Sequence, residues 1–191
     1  MKWPLPLILG YLLLALQPTV GEALRLGHSG PAPSIIMPLA VFIALFANQR
    51  AATWAAILIG MSIDLSTLRG TDALVVVGPY ALGYAAAAYF VHTSRPMVMR
   101  RNPLTLGVLS IGGELVCSVV VTFIFAARRA IWWGSWADLP RHALMSELWD
   151  RILGSLYTGL PALALALILF PLMPWFGFQD GTGRRPHGAR P

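Results

Sequence analysis

Charged residues are spaced along this chain so that long stretches carry none, including Trp3 to Gly21, Leu26 to Gln49, Ala73 to Ser94 and Ile152 to Gln179. Apolar runs of about 18 or more residues are read as membrane spans. The pattern predicts six helices, at about residues 3–20, 34–48, 51–65, 73–92, 104–127 and 152–175. The second and third are short for a hydrocarbon core of about 30 Å at about 1.5 Å per residue. Pro79 falls within the fourth and either kinks it or marks its first turns.

The segments between these runs read as connections. Residues 21–33 (GEALRLGHSGPAP) mix Gly, Pro and polar residues as a loop does. The stretch 128–151 is the longest connection and contains Trp132, Trp133 and Trp136. Tryptophan favours the headgroup level, so this loop is expected at the membrane surface. Its second half, after Asp138, Leu139 and Pro140, places Met145, Leu148, Trp149 and Ile152 at helical spacing, as in an interfacial helix leading into the last span. The tail 177–191 (GFQDGTGRRPHGARP) has nothing to bury and is expected to be disordered.

Composition agrees with an all-α membrane protein forming a polytopic bundle of about six helices. Of 191 residues, 57% are hydrophobic and 12% charged, against about 25% charged in soluble domains, and the mean hydropathy is +0.66. Residues 1–176 then form a single transmembrane domain with no room for a soluble one. Lys2 followed by an apolar run resembles a signal peptide. No convincing small-residue cleavage site follows, with Gln17, Pro18 and Glu22 in the region, and a retained helix is expected.

The net charge of +6 belongs to loops and lipid headgroups, and not to nucleic-acid binding. With the N-terminus inside, the cytoplasmic side holds Lys2, Arg50, Arg95, Arg100, Arg101, Arg184, Arg185 and Arg190. The other side holds Arg25, Arg69, Arg128, Arg129, Arg141 and Arg151, partly offset by Asp138, Glu147 and Asp150. The balance favours both termini in the cytoplasm.

No motif for catalysis, phosphate binding or metal binding is present. His28, His92, His142 and His187 are scattered, and Cys117 is the single cysteine, so neither a disulfide within the chain nor a cysteine-based metal site can form. No cofactor is expected. Two carboxylates stand out because a charge within a span is costly. Glu114 lies mid-helix in a stripe with Gly107, Ser110, Cys117 and Val121, which is expected to face protein. It reads as an interhelical hydrogen-bond or Arg partner, or as a proton or substrate site. Asp64 ends the stripe Thr53, Ala56, Gly60 and Asp64, and water or backbone donors would suffice to satisfy it there. On the fourth helix Tyr80, Tyr84, Ala87 and Val91 share a face, with Gly83 and Ala87 a small-xxx-small pair.

The stretch Gly60 to Tyr84, GMSIDLSTLRGTDALVVVGPYALGY, resembles the rod shape-determining protein MreD family. That family has a Gly followed four residues later by Asp at a helix end, then a Gly-containing turn and a helix ending in Gly-Tyr. The matching positions here are Gly60, Asp64, Gly70, Gly83 and Tyr84. The turn departs from the family pattern: Ser66, Thr67, Leu68, Arg69 and Gly70 stand where Ser-Gly-Gly-Pro is usual, about one residue longer. Length, span number, orientation and the basic connection at 93–103 agree with the family.

The resemblance implies a non-catalytic scaffold of the bacterial cell-elongation machinery in the cytoplasmic membrane. Its partners would be a bitopic MreC-like protein and, directly or through it, MreB filaments and peptidoglycan synthases. A rival reading is the substrate-binding membrane subunit of an energy-coupling-factor transporter, similar in its six-helix architecture. It predicts a pocket for a vitamin or metal ion, with Glu114, Tyr80 and Tyr84 as candidate lining, and an ATPase module as partner. A third, a small intramembrane enzyme, requires Asp64 and Glu114 to share one water-filled cavity.

Overall fold

The computed structural model describes residues 4–25, 31–66, 77–99, 102–133 and 141–176, with side chains left aside at 4–5, 129–133 and 141–148. Among these residues there are six α-helices and no strand: α1 (Pro4–Ala23), α2 (Ile36–Phe46), α3 (Gln49–Ser66), α4 (Pro79–Ser94), α5 (Pro103–Trp133) and α6 (Arg141–Leu172). A 3₁₀ turn follows α4 at Arg95–Met97 and another follows α6 at Met173–Phe176. Three helical segments are long and apolar enough to cross a membrane: Pro6–Ala23, Pro103–Arg128 and Trp149–Phe176.

The core is built around α2, which is apolar on every side and buried from Ile36 to Leu45. An all-apolar helix has no face to offer water and belongs in the centre. Its 11 residues give it a length of only about 16 Å. Both ends are therefore inside the bundle, where the unsatisfied amides and carbonyls of helix termini need partners. Gln17 of α1 accepts from the Ile35 amide at 2.8 Å, and Ser34 Oγ accepts from the Met37 amide at 3.2 Å. Thr158 Oγ1 of α6 accepts from the Ser34 amide at 2.9 Å.

At the other end Arg95 donates from Nε to the Ala44 carbonyl at 2.8 Å, and its terminal nitrogen donates to the carbonyls of Ala44 and Ala47. A guanidinium on a helix C-terminus also opposes the negative end of the helix dipole. Arg95→Met keeps most of the side-chain volume but leaves those carbonyls without this donor. It is expected to destabilise the fold by about 2 kcal/mol, read as a lowered melting temperature in detergent; Arg95→Lys should recover part of the loss.

Several predicted boundaries move. α2 is shorter at both ends than 34–48, because Ser34 caps its start and Asn48 starts α3 by accepting the Ala51 amide at 3.0 Å. α4 begins at Pro79, not at residue 73. Gly78 takes φ +131°, closed to most side chains, and Pro79 needs no amide in the first turn.

In the predicted connection 128–151, α5 continues to Trp133 where a loop was expected, while α6 starts at Arg141, in line with the helical spacing after Pro140. Surface-seeking Arg and Trp side chains do not interrupt backbone hydrogen bonding, so a helix can run on past the apolar segment that starts it. Residues 134–140 with Trp136, the side chains of Trp132 and Trp133, and the tail 177–191 lie outside the described residues.

α5 packs against both α4 and α6, and α3 against α4. α1 lies outermost, with Leu7, Ile8, Tyr11, Leu12 and Leu16 exposed.

Candidate functional site

Four of the five motif residues meet at one junction between α3, α4 and α5. A Cβ on Gly60 would come within 2.5 Å of the Tyr80 carbonyl oxygen and 2.6 Å of the Ala81 Cα, so α3 and α4 touch backbone to backbone. One turn on, the Asp64 carboxylate, 5% exposed, accepts the amides of Gly78 at 2.9 Å and of Tyr80 and Ala81 at 3.3 Å. These are the orphan amides of the first turn of α4, and a carboxylate is the charge its N-terminus favours. Gly83 then brings α4 onto α5, and Tyr84 beside it is buried in the core. Gly70 lies outside the described residues.

The predicted stripe on α5 faces protein at Gly107, Ser110, Cys117 and Val121, all buried. Gly83 of α4 meets it at Cys117 and Val121, and Ala87 meets Gly113 next to it. A Cβ on Gly83 would sit 2.7 Å from Cys117 Sγ, and one on Gly113 would sit 3.7 Å from Ala87 Cβ. Gly83→Leu is expected to separate α4 from α5 and lower the amount of folded protein several-fold, measured by size-exclusion chromatography of the detergent extract. Gly78 shows that small size is not the only use of glycine here, since nothing lies within 4 Å of its added Cβ and its need is the backbone angle.

Beside this junction is a cavity of about 430 Å³ lined by Pro31, Ala32, Tyr80, Glu114, Cys117, Ser118, Asp150, Arg151 and Gly154. Its walls come from α4, α5 and α6 and from the extended segment ahead of α2. Non-helical backbone within an apolar bundle is tolerated where it is buried in protein or lines a water-filled cavity. Residues 31–34 meet that condition, as two of them are prolines without an amide and the Ser34 amide is bonded to Thr158.

Of the predicted polar positions, Glu114 and Cys117 line the cavity, and so does Tyr80. Ser110 is fully buried, and Tyr84, buried in the core, is not among the residues that line the cavity. Asp64 is turned to the α4 amides and is not among the residues that line the cavity. One carboxylate oxygen of Glu114, Oε2, is buried with no hydrogen-bond partner. The Arg151 guanidinium acts on this carboxylate electrostatically.

Arg151, Asp150 and Ser118 were not among the sequence candidates. The first two fell in the stretch read as a surface connection. A signal for them exists: Arg151, Ser155, Thr158 and Ala162 recur at helical spacing, and Ser155, Thr158 and Ala162 are fully buried. Among the described residues, no group of three or more His, Cys, Asp or Glu gathers as a metal site. Among the described residues the cavity is thus a recessed polar space with one base and two acids, suited to holding water or a small charged group. No family model, curated protein or solved structure matches the chain.

Proposed function

We propose that the chain is a non-catalytic scaffold of the cell-elongation machinery, of the kind represented by the MreD family, and that it works by positioning other proteins. In this reading its six helices form a polytopic bundle in the bacterial cytoplasmic membrane with both termini cytoplasmic. The observation that carries the reading is the convergence of Gly60, Asp64, Gly83 and Tyr84 on one packing junction. These residues of the motif do structural work, as a scaffold requires: the close approaches at Gly60 and Gly83 and the hydrogen bonds of Asp64 set how three helices are held.

Small-residue helix faces of this type can also receive another protein's membrane helix. The partners proposed are a bitopic MreC-like protein and, directly or through it, MreB filaments and peptidoglycan synthases. Basic connections on the cytoplasmic side would meet anionic lipid or filament.

The cavity favours a second reading, a substrate-binding subunit of an energy-coupling-factor transporter, for which Glu114 and Tyr80 would line the ligand site. Affinity purification from crosslinked native membranes, with mass spectrometry of what co-purifies, separates the two. A bitopic coiled-coil protein with cell-wall synthases, and loss of rod shape on depletion, is the expected result. Recovery of an ATPase pair with a second membrane subunit would overturn the scaffold in favour of the transporter.

A further inference from the structure

The cavity holds an electrostatic imbalance that neither helix packing nor the motif accounts for. Among the described residues, three side chains that carry charge line it, two acids and one base. Asp150 is exposed, while the Oε2 atom of Glu114 is buried and has no donor. Placing a carboxylate in an apolar bundle is tolerable when its charge is paired and its oxygens are hydrogen-bonded. Arg151 contributes one positive charge to the set. With all three groups ionised, the described lining residues are one positive charge short, and the open acceptor is on Glu114.

Water can hydrogen-bond to that oxygen, but it brings no charge. A cation that brings both charge and N–H donors completes the set. The about 430 Å³ of space falls within the range of small-ligand pockets, about 300–1,000 Å³. Tyr80 and Ser118 add hydroxyl groups to the wall. A strongly hydrated metal ion is a poorer match, because such ions prefer several oxygen ligands and the described lining residues include no third carboxylate and no histidine.

We propose that this cavity is a binding site for a primary ammonium or guanidinium group, seated on Glu114 with Asp150 at the rim. The group could be carried by a free small amine or by a lysine or arginine side chain of another protein. The assignment is independent of whether the chain acts as a scaffold.

The test uses the full chain in detergent with Cys117→Ala and a single new cysteine, Ser118→Cys. Its labelling rate is compared for 2-aminoethyl methanethiosulfonate, a cation, and 2-sulfonatoethyl methanethiosulfonate, an anion. Thr93→Cys, at an exposed position on α4, provides the reference ratio. The cation-to-anion ratio at position 118 is expected to exceed the reference about tenfold or more. n-Butylammonium chloride should slow the labelling, whereas n-butanol and sodium butyrate should not.

Adding Glu114→Gln should return the ratio to the reference while the protein elutes and melts as before. A ratio equal to the reference, an anion preference, an unreactive cysteine, or a preference that survives Glu114→Gln would overturn the proposal. Should Glu114→Gln fail to fold, the butylammonium result decides alone, and absence of protection overturns it. Repeating the labelling in native membranes identifies the source. Labelling as fast as in the purified chain points to a small amine, and labelling blocked in membranes but restored on purification points to a basic side chain of a partner.

Discussion

Replacing Gly60 by alanine is expected to lower the melting temperature of the detergent-solubilised chain sharply, because the added methyl group meets backbone and not a movable side chain. Its nearest neighbours would be the Tyr80 carbonyl oxygen at 2.5 Å, the Ala81 Cα at 2.6 Å and the Ala81 nitrogen at 2.7 Å. No rotamer change can relieve three backbone contacts, so α3 and α4 must move apart. That movement also draws Asp64 away from the amides it accepts, one turn further along α3. Overpacking alone costs about 1–3 kcal/mol, and the weakened hydrogen bonds add to it. Gly21→Ala is the matched control: it is also helical, and nothing lies within 4 Å of the added Cβ. It should be neutral or stabilising by up to about 1 kcal/mol, the helix propensity difference. Equal melting temperatures for the two variants would refute the close approach of α3 and α4.

Asp64→Ala is expected to be about as damaging, through a different mechanism. Three amides of the α4 N-terminus lose their acceptor at once, and the site is too enclosed for water to replace it freely. Hydrogen bonds to a charged group are worth about 1.5–3 kcal/mol each, and the three are not additive. A total loss of about 3 kcal/mol is expected. Asp64→Asn should lose less, because a single amide oxygen can take over the Oδ2 position, which serves Gly78 and Ala81, leaving only Tyr80 without its acceptor. Thermal melting of the three proteins should therefore rank wild type, Asn, Ala. An alanine variant that melts with the wild type would show that Asp64 does not hold α4.

The comparison of sequence and structure separates what apolar patterning can express from what it cannot. Helices α1 and α3 were legible from charge-free or small-residue runs with polar ends. The start of α4 was not, because Ala73 to Val77 is as apolar as the helix that follows. What sets the start is Gly78, Pro79 and a carboxylate fourteen residues upstream. The extension of α5 was hidden for the opposite reason: Arg128 and Trp132 look like a surface connection, although helical hydrogen bonding is indifferent to that polarity. The early start of α6, by contrast, was legible in the helical spacing of Met145, Leu148, Trp149 and Ile152 after Pro140.

At the candidate site, Glu114 was visible as a charge in an apolar run. Arg151 and Asp150 were not, since residues at the edge of a span resemble loop residues until the opposing helix is known. Arg95 illustrates the same limit. It read as one of several cytoplasmic arginines, yet it closes the end of a helix 51 residues earlier in the chain.

The way α2 is secured also dictates when the protein can be finished. Its leading end is tied to Thr158, 124 residues later, and its trailing end to Arg95. A ribosome has therefore released the second helix long before its last partner exists. The innermost element is among the first made and the last to be completed, and a nascent chain interrupted before α6 leaves its centre open. Quality control that senses unpaired buried polar groups would find them in every product truncated before α6.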